Sequence, residues 1–378
     1  MNYDVIILGD GIAGLGAAIG LARYHKKILI IGRKRPGAST AHAAGILDPF
    51  LEMNVRSPLF KLAREAFRRY PAWLRSLGVS LQKAGYKKTG MLYLALDRSE
   101  ERQLRRRFAW QKKSGIPVRW LEAHQIFKME PSVSRKVRGG LFYPSIPRVQ
   151  PEKLMKALIA FSQKQGIRIL KTKRAAQLIC HCEGSPSGDD KARSISQVAG
   201  VRLENRLFKS NIVIQAQGAW AGNDRNAEIR LPVKPVRGQA LIVQKGKTRI
   251  STILHSMDGG YIVPWDPGNL LLGSTVERAG FNPVTTSRGL ESIRRRIERI
   301  APRLKGARIL TAWAGLRPFP KDRLPIIGAG RIGGVYLATG YYRSGILMSG
   351  LAGEFLAKGI VTGKMPHILK PFSMNRFL

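Results

Sequence analysis

The sequence predicts an α/β fold, and three observations near its N-terminus carry that prediction. Val5-Ile6-Ile7-Leu8 is a short apolar run ended by glycine, the pattern of a strand buried on both faces. Gly9-Asp10-Gly11-Ile12-Ala13-Gly14 follows, and then Leu15, Ala18, Ile19 and Ala22 recur at helical spacing. Ile28-Leu29-Ile30-Ile31 reads as a second buried strand, with Lys26 and Lys27 placed to meet the negative pole of the helix. Together these make a complete βαβ unit.

A GxGxxG turn between a strand and a helix is the setting in which that motif signals a dinucleotide site. Gly9 permits the tight turn, Gly11 lets backbone amides approach a pyrophosphate, and Gly14 permits close helix–strand packing. The helix N-terminus then offers its unpaired N–H groups to phosphate. One part of the pattern is absent. An acid is expected about 20 residues on, to hold ribose hydroxyls, but Gly32 stands there, followed by Arg33-Lys34-Arg35. On these residues alone NADP is a rival cofactor, because arginine accommodates a 2′-phosphate.

Farther along, Leu154, Leu158 and Phe161 after Pro151 mark one amphipathic helix. Leu290, Ile293, Ile297, Ile300 and Leu304 mark another, with Arg294, Arg295, Arg296, Arg299 and Arg303 mostly off its apolar face. Residues 238–244, 261–264 and 270–276 read as strands, the last two joined by a turn at Asp266-Pro267-Gly268-Asn269. Residues 184–190 read as a surface turn. Cys180-His181-Cys182 reads as strand residues beside that turn, and no metal site is expected.

Composition narrows the class. The chain has 378 residues with 65 Lys+Arg against 24 Asp+Glu, a formal charge of +41, which excludes an acidic disordered chain. Its 44% hydrophobic content supplies a core. Two cysteines are too few for a disulfide framework and fit a reducing compartment. The apolar stretch 3–22 lacks a basic leader and is broken by Asp10 and glycines, unlike a secretory signal. The stretch 345–361 carries Glu354 and Lys358 and is short for a bilayer span. A cytoplasmic protein without a membrane span is expected. The densest basic segment, Arg102, Arg105, Arg106, Arg107, Lys112 and Lys113, places Leu104 and Phe108 at helical spacing. It therefore reads as an amphipathic helix with a basic outer face, and nucleic acid is the disfavoured partner.

Seven segments carry a family resemblance. Residues 37–47 (GASTAHAAGIL) look like the GAS-x-x-AAG-[IM]-L segment of the FAD-dependent D-amino-acid-oxidase superfamily, and within it of glycine oxidases of the thiamine-biosynthesis type. Residues 212–220 (IVIQAQGAW), 231–239 (LPVKPVRGQ), 261–264 (YIVP) and 273–277 (GSTVE) resemble later motifs in order. Residues 313–318 (WAGLRP), with Asp322 and Pro325-Ile326-Ile327-Gly328, and 340–347 (GYYRSGIL) complete the series. In the last, Tyr341 and Ser344 replace a customary histidine and asparagine.

The resemblance implies a Rossmann-type FAD-binding domain interleaved with an α+β substrate domain built on a mostly antiparallel sheet. Residues 1–83, 143–225 and 310–378 would form the FAD-binding domain, and 84–142 and 226–309 the substrate domain. FAD replaces NADP as the expected cofactor. The expected reaction is oxidative deamination of glycine, sarcosine or a small D-amino acid by hydride transfer, with oxygen or another electron acceptor. The alternatives are a tRNA-modifying flavoenzyme acting on a glycine-like group and a non-catalytic dinucleotide-binding protein; a homo-oligomer is left open. Arg317 is expected on the substrate carboxylate, with Tyr261 and Arg343 as further substrate-positioning residues. The cofactor set implied is Gly9, Gly11, Ile12, Ala13, Gly14, Arg33, Ser39, Thr40, Ala44, Gly45 and Ile46, with Ala175 and Gly218. Gly340, Tyr342, Arg343, Ser344, Gly345 and Ile346 close that set.

Overall fold

The structure, a computed structural model, describes residues 1–50, 57–182, 196–223 and 231–377. Val5–Leu8, every residue of which is buried, forms the centre of a six-stranded sheet. Its neighbours are Ile28–Arg33 on one side and Val213–Gln215 on the other, both parallel to it. Arg168–Thr172 extends one flank and Val335–Thr339 the other, and Ile326–Ala329 adds an antiparallel edge. Alternation sorts the strand side chains. Val5, Ile7, Ile28 and Ile30 pack with Leu15, Ile19 and Leu356 of the helices, whereas Ile6, Leu8, Leu29 and Ile31 pack with Val198, Val201 and Phe208. The latter belong to a three-stranded sheet of Gln177–Cys182, Ser196–Leu203 and Arg206–Lys209. Cys180, His181 and Cys182 thus lie within a strand, while residues 184–190, read as a turn, lie outside the described residues.

Helix Ile12–Ala22 packs on helix Gly345–Thr362 backbone to backbone. A Cβ on Gly16 would collide with the Ser349 carbonyl, one on Gly20 with the Gly353 carbonyl, and one on Gly353 with the Gly16 carbonyl. The stretch read as too short for a membrane span is a helix of 18 residues, long and apolar enough to cross one by composition. In the fold it is mostly buried and serves as a core helix.

An eight-stranded sheet forms the second body. Its order is Ile309–Pro320, Val233–Gln244, Asn269–Gly273, Tyr261–Pro264, Ile253–Ser256, Met91–Ala95, Gly139–Tyr143 and Arg119–Glu122. All its pairs are antiparallel except Ile253–Ser256 with Met91–Ala95. Leu241, Val243, Leu254, Ile262 and Leu272 pack on Ile293, Ile297 and Ile300 of helix Ser287–Ile300. The opposite face is left for a site.

Two strand limits differ from the sequence reading. The strand expected at 238–244 begins at Val233, and the one expected at 270–276 ends at Gly273. Beyond Gly273 the chain has other work: the Ser274 and Thr275 carbonyls accept from Arg296 and Arg317, and Thr275 Oγ1 accepts from the Gln239 amide. The sequence reading also returned the chain to the nucleotide-binding part at residue 310. Ile309–Pro320 instead pairs along its length with Val233–Gln244, so we propose a division in which the return falls at Ile326–Ala329.

Gly353→Val should lower stability by about 1–3 kcal/mol or more, since its methyls have only the backbone of the facing helix to meet. Lys358→Ala, an exposed change on the same helix, should stay within about 0.5 kcal/mol of the parent. Urea denaturation of the three proteins measures both.

Candidate active site

The strand Val5–Leu8 delivers the glycine-rich turn to a crevice where the chain leaves its two neighbouring strands in opposite directions, the usual place for a nucleotide. Gly9 has φ +122°, and a Cβ there would collide with the Ala216 carbonyl. A Cβ on Gly14 would collide with the Gly9 carbonyl. Gly14 is not among the residues that line the cavities described below, and its close packing on Gly9 shapes the turn. Gly11 caps the helix without a side chain, and Thr40 Oγ1 accepts the Ile12 amide at 3.3 Å.

This crevice is lined by Gly9, Gly11, Ile12, Ala13, Arg33, Ser39 and Thr40 from the first third of the chain. Ala175, Gly218, Gly340, Tyr342 and Gly345 complete the expected residues there. Arg35 and Arg174 add positive charge that the sequence reading had not assigned. Arg35 also stacks over Trp220, 5.0 Å from the ring centroid. Backbone brought close by glycine, a helix N-terminus and three arginines suit the diphosphate of FAD, and the residues present fit the cofactor. Tyr341, in place of the customary histidine, is buried in the same wall, and burial pushes its phenol up.

A larger cavity of about 990 Å³ continues from it, sharing Ile12, Ser39, Thr40, Tyr342 and Gly345. Ala44, Gly45, Ile46, Ser344 and Ile346 line this larger cavity. The segment 37–47 forms the seam between the two sheets and is held by backbone. Leu316 N–H donates to Gly37 O at 2.8 Å, Val149 N–H to Gly45 O at 2.9 Å, and Trp313 Nε1–H to His42 O at 3.1 Å. Gly45 has φ +70°, and a Cβ there would collide with the Val149 carbonyl. Gly45 is therefore a steric requirement of this segment.

The far wall is the free face of the eight-stranded sheet. Pairing in register puts His255, Tyr261, Gly273 and Ala240 on one face, with Gly238 and Gly315 two residues farther along their strands and Arg317 two beyond Gly315. Glycines make room for the two large side chains. The Tyr261 ring lies over Gly273 and the Arg317 guanidinium over Gly238, since a Cβ on either glycine would collide with it. Arg317 donates to Thr275 O at 3.0 Å and to Ser274 Oγ at 2.9 Å, so its plane is set before any ligand arrives. Arg343 is exposed at the rim, its guanidinium 5.2 Å from the Tyr342 ring centroid. His255, unremarked in the sequence, lies on the same wall between Tyr93 and Tyr261, at centroid distances of 5.2 Å and 6.0 Å.

Behind Arg317 a polar network fixes the rim. Gln239, fully buried, donates to Glu277 Oε1 at 2.8 Å and accepts from the Thr286 amide at 2.8 Å. Arg237 Nε donates to Glu277 Oε2 at 2.9 Å. Burial pushes the Glu277 carboxyl up, but hydrogen bonds from Thr275, Arg237 and Gln239 outweigh it and hold the group below the usual carboxylate range.

Comparison with known proteins agrees with this arrangement. The family model described as FAD dependent oxidoreductase (DAO) matches residues 4–358. The bifunctional protein ThiO/ThiG of Trichormus variabilis is 29% identical over 381 residues, covering all of this chain and 55% of the relative. The chain thus spans about half the length of the first curated relatives it matches. A glycine oxidase of Geobacillus kaustophilus is 28% identical over 386 residues, covering all of this chain and 98% of that protein. The crystal structure of glycine oxidase from Geobacillus kaustophilus superposes with a TM-score of 0.86 at 26% identity, covering 100% of this chain and 99% of that one.

Because the Glu277 carboxyl is depressed in the fold, its contribution to stability is complete above the unfolded-state value and is lost as pH falls through the lower folded value. Glu277→Gln should therefore be less stable than the parent at about pH 7, with the gap narrowing towards about pH 3. Urea midpoints of the two proteins across that range give the comparison.

Proposed function

Because the chain belongs to the DAO family of FAD-dependent oxidoreductases, we propose that it oxidises the Cα–N bond of glycine or a comparably small amine, sarcosine and small D-amino acids included. The observation that carries this reading is Arg317 laid flat over Gly238 on the cavity wall, with Tyr261 across the sheet from it. FAD, when bound, supplies the acceptor for the electron pair.

Everything else falls to the protein. The guanidinium of Arg317 receives the substrate carboxylate, the pairing in which a planar fork gives both charge and direction. Tyr261 adds a hydroxyl on the same face and limits the room beside the substrate carbon. His255, wedged against Tyr261, fixes that ring. The substrate loses a hydride from Cα and a proton from nitrogen to give an imine, which water converts to the oxo acid and ammonia, or to a primary amine when the substrate is secondary. An amine that enters neutral needs no separate base. Arg343, exposed at the rim, acts on the approach of an anionic substrate. The likeness to glycine oxidase and ThiO/ThiG extends the proposal to a cytoplasmic enzyme of thiamine biosynthesis.

The test is anaerobic mixing of the flavin-loaded protein with glycine, sarcosine and D-alanine, followed by loss of oxidised-flavin absorbance. Bleaching by at least one is expected; an unchanged spectrum with all three would sink the reading. Arg317→Ala should lower kcat/KM by roughly a hundredfold or more with its flavin content intact, and Tyr261→Phe by about fivefold.

A further inference from the structure

Gly32, the last residue but one of the second strand, stands at the position where dinucleotide folds place an acid for the adenosine ribose. A Cβ on Gly32 would collide with Cβ, Cγ and Oδ2 of Asp10, so the Asp10 carboxylate lies directly over the Gly32 backbone. It occupies the space into which a side chain at 32 would project, and side chains at the two positions exclude each other. Asp10 is half-buried and lines the nucleotide crevice together with Arg33, Arg174 and Ala175.

An acid inside a phosphate-binding turn works against the positive potential of that turn unless it is neutralised and has a task. Lys171 neutralises it. That residue faces Gly32 across the parallel pair and donates its Nζ to Asp10 Oδ2. Oδ1 has no hydrogen-bond partner among the described residues. The carboxylate is thus anchored by one oxygen, on a residue that lines the crevice.

The geometry points to Asp10 as the ribose-binding acid of this chain: its carboxylate takes the 2′-hydroxyl of the adenosine ribose of FAD from the glycine-rich turn, in the space that Gly32 leaves open, with Lys171 as its positioning residue. The acid at the end of the second strand is moved, not lost. This inference rests on the family's cofactor and not on the identity of the amine.

Binding to the full-length chain stripped of flavin tests it, with FAD, FMN, ADP and 2′-deoxy-ADP as probes. Asp10→Asn, which keeps the shape, and Asp10→Ala should weaken FAD by about tenfold to a hundredfold while leaving FMN, which lacks the adenosine, unchanged. The preference for ADP over 2′-deoxy-ADP should disappear in both. Gly32→Asp alone should bind FAD poorly, and the exchange of Asp10→Gly with Gly32→Asp should recover much of the loss. Parental FAD affinity in both Asp10 variants would overturn the assignment, leaving the pair with Lys171 merely structural. Equal weakening of FAD and FMN would overturn it as well, because that reports a distorted turn. So would an exchange variant no tighter than Gly32→Asp alone. None of these readings depends on whether glycine is oxidised.

Discussion

The fold depends on backbone meeting backbone around one helix. Helix Ile12–Ala22 begins in a turn where Gly9 presses on the Ala216 carbonyl and Gly14 on the Gly9 carbonyl. Along its length Gly16 and Gly20 press on helix Gly345–Thr362. No side chain mediates any of these contacts, so none can relax by changing rotamer. An added methyl has only backbone to displace, which couples the crevice rigidly to the core. The same close approach brings the start of helix Gly345–Thr362 to the nucleotide turn, and Gly345 accordingly lines both cavities.

The second constraint is parity. The eight-stranded sheet has one face buried against an arginine-rich helix, and alternation then commits His255, Tyr261 and Arg317 to the other. A one-residue slip would exchange Tyr261 for Ile262. Within that face glycines stand under the large side chains: Gly273 under Tyr261 and Gly238 under Arg317, while Gly315 leaves room for His42. The glycines let long side chains lie along the sheet instead of standing away from it, so the polar groups reach over neighbouring strands.

Much of this was legible in the sequence because it is periodic or local. Val5–Leu8 and the turn after it announce themselves by apolar continuity and glycine spacing, and helix Ser287–Ile300 by its isoleucine stripe. The rest was hidden for physical reasons. Val233–Gln244 begins in Lys234 and Pro235, poor strand formers that an extended cross-strand partner compensates. Residues 274–276 look like strand, yet the Ser274 and Thr275 carbonyls and the Thr275 hydroxyl are spent on Arg296, Arg317 and Gln239, and Glu277 beyond them on Arg237 and Gln239. His255 is a lone histidine among alternating residues, and only its pairing with Tyr261 brings it to the site. Arg317 was singled out by the WAGLRP motif it sits in and what the resemblance implies for it, not by periodicity or charge.

The charge balance sharpens the case of Asp10. Only 24 acids face 65 basic residues, and many of those in the structure are tied into arginine pairs, such as Glu101 with Arg105 and Arg138, and Asp258 with Arg299. The dense run on helix Arg98–Lys113 follows the same rule: Arg105 bridges Glu101 and Glu122 and stacks on Trp120. Acids in these pairs sit where a cation needs fixing, while others serve neutral groups, as Asp97 caps a helix and Glu130 accepts from Ser251 and Thr252. Asp10 breaks the rule in direction, for it lies in a turn whose function is to attract phosphate and needs Lys171 to hold it there. Lys171 is exposed, so it has solvent as an alternative partner and no structural need of Asp10. A pair of that kind contributes little to stability, which leaves the crevice that Asp10 lines, over the space opened by a glycine, as the reason for its place.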